Sequence, residues 1–291
     1  MRSFCVFVCL LAAFGGAALA QSPVAYVYVA EDRPSATVTS PITVYTASST
    51  GKLTQIAGSP FTQTSGTMSG TNGSHFLTVD QNSSTAHQYL HVYNVGANGA
   101  IGAQVSQHDL HTWCSMDEGA EFDHSGQFVY VLDAQSCGGA YQSFALSKSG
   151  QLTFVGSLKQ PGTPFFTLPT FAGNDKFAYN FVPSPGSDAP CPTSNFIGLG
   201  RESSGALENI GFTETDPTPP AGYQAFQSGL VTDDPTNHLA SLVEFQNGPC
   251  GESGIQDKLA SYTVQTNGDL VSTNTAEDMP ELAEFVGLGR V

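Results

Sequence analysis

The densest gathering of chemically capable side chains is the segment His108–Glu121, HDLHTWCSMDEGAE. It holds His108, Asp109, His111, Asp117, Glu118 and Glu121, with the only tryptophan of the chain, Trp113. An imidazole beside a carboxylate is the pairing that general acid–base chemistry uses. The ring titrates near neutrality, and the carboxylate orients it and supports its protonated form. The same residue types also make mixed His/carboxylate cation sites. His108, His111, Asp117 and Glu118 are therefore the catalytic candidates, and Trp113, Glu121 and Arg201 the binding candidates. A competing reading makes the segment a polar loop between sheet modules, pinned through Cys114 with its carboxylates in water.

Other candidates are sparser. His87 and His91 share strand parity, a spacing that suits either one face of a metal site or rim packing. Asp80, Asp133 and Asp233 end strands or sit in turns, where Asx hydrogen bonding is the default role. Neither GxSxG, HExxH, a P-loop nor a dinucleotide fingerprint occurs. Without a CxxC pair or a DxDxDG loop, no metal ligands are assigned. No cofactor is evident, and a divalent cation is the one that the acidic residues would suit. Asn72-Gly-Ser74 and Asn82-Ser-Ser84 match the glycosylation acceptor pattern, which has meaning only in a eukaryotic secretory route.

The elements that position these residues repeat. Phe122–Asp133, FDHSGQFVYVLD, is a tight polar turn followed by a strand of β-branched and aromatic residues. Related strands are expected at Val24–Ala30, Ile42–Ala47, His75–Asp80, Tyr89–Val95, Tyr141–Leu146, Lys176–Val182, Phe196–Gly200, His238–Phe245 and Leu259–Gln265. A second phrase, x-G-x-L, joins strands at TGKLT (50–54), SGQLT (149–153), SGALE (204–208) and NGDLV (267–271), with NGAIG (98–102) as a variant. Its glycines suit the positive φ of a hairpin turn, and the Leu or Ile begins the return strand on its core face. The glycines stand 48, 51, 55 and 63 residues apart. A period near 50 with about four short strands per repeat predicts an all-β β-propeller of four-stranded antiparallel blades, about five of them in this chain. One blade cannot bury both faces of its sheet, so neighbours must stack around an axis.

Each blade also needs an innermost strand. Met116–Phe122, Phe165–Phe171, Tyr223–Val231 and, weakly, Thr67–Thr71 are the expected ones. Within the first of these, Asp117 and Glu121 share parity while Glu118 points the other way. The first repeat lacks such a strand. The tail Glu281–Val291, ELAEFVGLGRV, has the pattern of an innermost strand with no repeat after it. Either it completes the first blade of a five-bladed ring, or the full ring is larger.

Residues 1–20 read as a signal peptide: Arg2, an apolar stretch Phe4–Phe14, and the small-x-small pattern Ala18-Leu19-Ala20. Residues 21–291 are then one propeller domain, secreted or periplasmic, without a membrane span. Cys114, Cys137, Cys191 and Cys250 remain, an even number for an oxidising compartment. Of the three pairings four cysteines allow, Cys114–Cys137 and Cys191–Cys250 would each join neighbouring repeats. The mature chain carries eight Lys and Arg against 25 Asp and Glu, a balance of −17. Such a surface repels phosphate backbones, so nucleic acid is excluded as a partner class.

The turn-and-strand phrase Asp123-His-Ser-Gly126-Gln-Phe-Val-Tyr-Val131 and the hairpin Leu259–Leu270 resemble the repeats of the exported lactonase-like propellers, the YVTN or 6-phosphogluconolactonase-like group. The resemblance runs over Val24–Leu270 and rests on blade-building phrases. It implies seven blades, two more than this chain displays, and thus a chain incomplete at its C-terminus. It implies hydrolysis of a small lactone at the axial channel; the expected partner is a small-molecule lactone or a carbohydrate, and the chain is expected to be a monomer. The alternative is a non-catalytic propeller that binds a protein or polysaccharide. Few mature cations, with Arg33, Arg201 and Arg290 the only arginines, depart from what a phosphosugar substrate needs.

Overall fold

The computed structural model describes residues 23–30, 41–62, 67–82, 87–110, 119–133, 140–159, 168–173, 175–183, 194–211, 214–215, 217–233, 237–247 and 253–278. These residues form strands and turns only, in five antiparallel blades of a β-propeller. Blade 1 has three strands, β1 (Ala25–Ala30), β2 (Ile42–Ala47) and β3 (Leu53–Gln55). Blade 2 runs β4 (Thr67–Thr71), β5 (His75–Asn82), β6 (His87–Val95) and β7 (Ile101–Asp109) from its innermost strand outward. Blade 3 runs β8 (Ala120–Phe122), β9 (Phe128–Asp133), β10 (Ala140–Leu146) and β11 (Leu152–Lys159). Blade 4 runs β12 (Thr170–Ala172), β13 (Phe177–Pro183), β14 (Ser194–Arg201) and β15 (Leu207–Asn209). A short β16 (Glu214–Thr215) precedes blade 5, which runs β17 (Tyr223–Asp233), β18 (His238–Asn247), β19 (Ser253–Val264) and β20 (Leu270–Asp278).

The period-2 pattern of each strand serves two seams at once. In β9, Val129 and Val131 pack with Leu77, Val79 and Leu90 of blade 2. Tyr130 and Leu132 pack with Phe171, Ala178 and Leu199 of blade 4. Ile42 and Val44 meet Phe76 and Tyr93 across the seam between blades 1 and 2. Tyr179 and Phe196 meet Leu239 and Tyr262 across that between blades 4 and 5. The core is thus a row of greasy interfaces between sheets, each shared by two blades.

The x-G-x-L turns form as expected. Gly51, Gly99, Gly150, Gly205 and Gly268 all take positive φ, between 77° and 93°. Of the expected inner strands, Thr67–Thr71 forms with those bounds and Tyr223–Val231 lies within a longer β17. For Met116–Phe122 and Phe165–Phe171, the strand among the described residues is Ala120–Phe122 and Thr170–Ala172, while 116–118 and 165–167 lie outside the described residues. The sequence reading did not include β16. It lies parallel to β20, with Glu214 opposite Leu270 and Thr215 opposite Val271, and covers the outer edge of blade 5. The expected signal segment 1–20, the tail 281–291 and all four mature cysteines lie outside the described residues. No helix among the described residues is long and apolar enough to cross a membrane.

Candidate active site

The site begins with a turn. Asp123 accepts hydrogen bonds at Oδ1 from the backbone N–H groups of Gln127 and Phe128, both at 3.1 Å, and at Oδ2 from the Ser125 hydroxyl at 2.7 Å. Gly126, at φ 67°, closes the turn by donating its N–H to the Asp123 carbonyl at 3.0 Å. The carboxylate thereby satisfies the donors that the turn leaves open, which is why Asp leads this phrase.

The next blade supplies a second carboxylate. Asp175 lies in the turn before β13 at φ 60° and is buried, two residues before Phe177, just as Gly126 stands two before Phe128. Its Oδ1 accepts the His124 N–H at 2.9 Å, its Oδ2 accepts the Ser125 N–H at 3.0 Å, and His124 Nδ1 lies 2.6 Å from Oδ1. This one buried carboxylate accepts the His124 backbone N–H and stands in ion-pair contact with its ring. Arg201 completes the group. Its Nε donates to the Asp175 carbonyl at 2.5 Å, and its guanidinium lies 5.1 Å from the centre of the Phe128 ring. Burial raises the Asp123 carboxyl above its ordinary 3.8. The Ser125 and Phe128 hydrogen bonds act against that rise, Asp175 adds to it, and the Arg201 charge opposes it.

This turn faces a cavity of about 660 Å³ beside the innermost strands of blades 2 and 3. Ser69, Thr71 and Asn72 form one wall, Glu121 to Ser125 another, and Leu168, just before the innermost strand of blade 4, contributes an apolar contact. Gly119 permits that approach, because a Cβ there would meet Leu168 at 2.8 Å. Asn72 ties the walls together. Its Nδ2 donates to the Gly126 carbonyl at 2.9 Å, and its Oδ1 accepts from the N–H groups of Ser74 and His75. The amide that the glycosylation pattern points to is thus engaged between blades. Ser69 Oγ is buried and has no hydrogen-bond partner among the described residues.

Of the sequence candidates, Glu121 lines the cavity and Arg201 stands behind Asp175. His108 is elsewhere. It sits on β7, outermost in its blade, with its ring 4.7 Å from that of Phe144 and stacked at 6.5 Å on Phe154. His91 is buried between Tyr89 and Tyr93. His111, Trp113, Asp117 and Glu118 lie outside the described residues. No three His, Cys, Asp or Glu side chains among the described residues gather as a metal site. His124 and Asp175 were missed because each reads as turn chemistry in its own repeat. The available signal was the repeat itself, which sets the turns at 123–126 and 172–175 on successive blades.

No protein-family model and no curated protein matches the chain. Solved structures resemble it in arrangement. A protein from Lactobacillus plantarum is 13% identical, with a TM-score of 0.37 over 88% of this chain and 84% of that one. A periplasmic gluconolactonase from Pseudomonas aeruginosa is 12% identical, with a TM-score of 0.44 over 87% of this chain and 83% of that one. The β-propeller domain of the Trilobed protease from Pyrococcus furiosus is 7% identical, with a TM-score of 0.46 over 90% of this chain and 69% of that one. At these values the likeness carries no inference about chemistry.

Proposed function

We propose that the chain is an exported lactonase-like hydrolase that opens a small cyclic ester in the cavity beside β4 and β8. The observation that carries this reading is the His124–Asp175 pair, 2.6 Å apart, with His124 on the cavity wall. His124 Nδ1 is in ion-pair contact with Asp175, and Nε2 is the nitrogen assigned as the base. It takes a proton from water as the water oxygen bonds to the ester carbonyl carbon. The ring C–O bond then breaks, and the imidazolium returns that proton to the departing alkoxide. Asp175 supports the imidazolium between the two transfers. His111, Asp117 and Glu118 remain sequence candidates for the same chemistry.

A lactone panel on the purified chain tests this. His124→Ala is expected to lower turnover by about 10² to 10⁴, the usual contribution of a positioned base. Asp175→Asn should lower kcat more than it raises KM. Unchanged turnover in His124→Ala would remove the pair from the reaction. The second reading, a non-catalytic propeller for a polysaccharide or protein, is favoured by the hydroxyl-rich wall of Ser69, Thr71, Ser74 and Ser125. It predicts specific binding with no turnover of any lactone.

A further inference from the structure

We infer that the chain associates head to tail with a second copy of itself, the open face of blade 5 in one copy stacking on the open face of blade 1 in the other. Such association is independent of the chemistry at the cavity. Its basis is a contact that the chain makes four times within itself. The hairpin glycines of blades 2 to 5, Gly99, Gly150, Gly205 and Gly268, each lie against a ring from the preceding blade: Tyr26, His75, Phe128 and Phe177 in turn. A Cβ on any of these glycines would stand 3.0 Å or less from that ring. His75, Phe128 and Phe177 open the second strands of their blades, and Tyr26 is the second residue of β1.

The two ends of the row each hold half of this contact. Gly51 of blade 1 makes the same turn at φ 77°, and a Cβ there would meet nothing within 4 Å. His238 opens β18 of blade 5 and is exposed. Its neighbour Leu239 packs into the seam with blade 4, so His238 lies on the opposite face. An imidazole already fills this position once, as His75 against Gly150.

The surroundings of the two halves agree with this. Tyr28 packs on Phe76 of blade 2, so Val27 and Val29 lie on the open face of β1. Leu53 stands opposite Ala47 on that same face. On blade 5, His238 pairs with Thr263, and Thr263 with Val271, across the open face. Val29, Leu53 and Val271 are three of the five large apolar side chains left exposed among the described residues. A terminal repeat that stands alone presents a polar outer face, whereas these faces present apolar side chains at both ends. Among the described residues the core clusters lie at the four seams from blade 1 to blade 5, and none joins blade 5 back to blade 1. The two faces are thus apart within one chain, and the sheet that fits blade 1 is blade 5 of another copy. The contact is heterologous: each copy offers one plug, around His238, and one socket, around Gly51.

Sedimentation velocity of the full chain over a concentration series tests this. The mass is expected to be that of one copy in dilute solution and to rise to two copies or more as concentration increases. Leu53→Glu blocks the socket and Val271→Glu the plug; both positions are exposed, and thermal midpoints check that each variant folds. His238→Glu repeats the plug-side test at a second exposed residue. Each variant alone is expected to remain a single copy. An equimolar mixture of Leu53→Glu and Val271→Glu should form a two-copy species and nothing larger, because one variant keeps its plug and the other its socket. Phe154→Glu, exposed on blade 3, should associate as the unaltered chain does. A single copy at every concentration overturns the proposal. So does association lost in the socket variant but kept in both plug variants, or the converse, which would mean that like faces pair. A mixture that stays single, or loss of association in Phe154→Glu, overturns it as well.

Discussion

The hydroxyl of Tyr130 in blade 3 donates to the carbonyl of Gly205, 75 residues later in the hairpin turn of blade 4, at 3.0 Å. Tyr179 does the same to Gly268 of blade 5 at 2.8 Å, and Tyr28 to Gly99 of blade 2 at 3.0 Å. Burial raises the pKa of Tyr130 and Tyr179 far above the ordinary tyrosine range, so both remain donors at any working pH. The second strand of one blade thus reaches the outer turn of the next. At the seam between blades 2 and 3 the equivalent residue is Leu77, and Ser106 Oγ donates to the Gly150 carbonyl instead, at 2.5 Å.

Removing one such hydroxyl leaves a buried carbonyl unpaired. Tyr130→Phe and Tyr179→Phe are each expected to destabilise the fold by about 1–3 kcal/mol, with Tyr28→Phe at the low end because its bond is only half-buried. Urea denaturation midpoints at constant slope check this. No loss in Tyr130→Phe would mean that water replaces the hydroxyl.

Gly205 and Gly51 occupy the same turn position, at φ 93° and 77°. A Cβ on Gly205 would collide with the Phe128 ring, whereas one on Gly51 meets nothing within 4 Å. Gly51→Ala should cost only the left-handed backbone penalty, about 1–2 kcal/mol. Gly205→Ala should cost distinctly more, because the ring and the turn must move apart. Thermal midpoints of the two variants, side by side, decide it.

His75 heads β5 and is buried against the Gly150 turn, and burial lowers its pKa below the ordinary 6.5. The unfolded chain therefore binds this proton first. As pH falls from above 6.5 towards the folded pKa, the unfolded state gains protons that the native state does not, and stability declines across that window. Above 6.5 the contribution is complete. His75→Gln should flatten this part of the stability–pH curve; an unaltered slope would assign the slope to other groups.

For Asp123 the sign is reversed. Its folded pKa lies above 3.8, so the native state holds the proton longer than the unfolded chain does. The stabilisation from the protonated form is complete below 3.8 and is lost as pH rises through the folded pKa. Asp123→Asn keeps an oxygen for the Gln127 and Phe128 N–H groups and carries no charge. It should remove this acid-range decline, as read from denaturation midpoints over a pH series.

Leu53 and Leu270 each follow the glycine of an x-G-x-L turn, yet Leu53 is 52% exposed and Leu270 fully buried. Leu270→Ala is expected to cost about 2–5 kcal/mol. Leu53→Ala should stay within about 0.5 kcal/mol. Similar losses at both sites would show that the flank of blade 1 is covered in solution.

That pair also marks the boundary of what was legible in the chain. Strands β5, β9 and β13 could be read from alternating Val, Phe and Tyr, and the hairpin turns from single glycines, because both depend on local backbone preference. The acidic balance and the repeat period were likewise readable without coordinates, and with them the propeller. Which face of a repeated strand is greasy follows from its own letters; whether anything lies against that face does not. Leu53 is exposed because no described blade abuts that side of blade 1, and Leu270 is buried because blade 4 stacks on its side. The parallel pairing of β16 with β20 and the meeting of His124 with Asp175 are of the same kind. Each joins residues about 50 positions apart, the first by strand pairing at the edge of blade 5 and the second by the stacking of blades 3 and 4, and no single repeat encodes either.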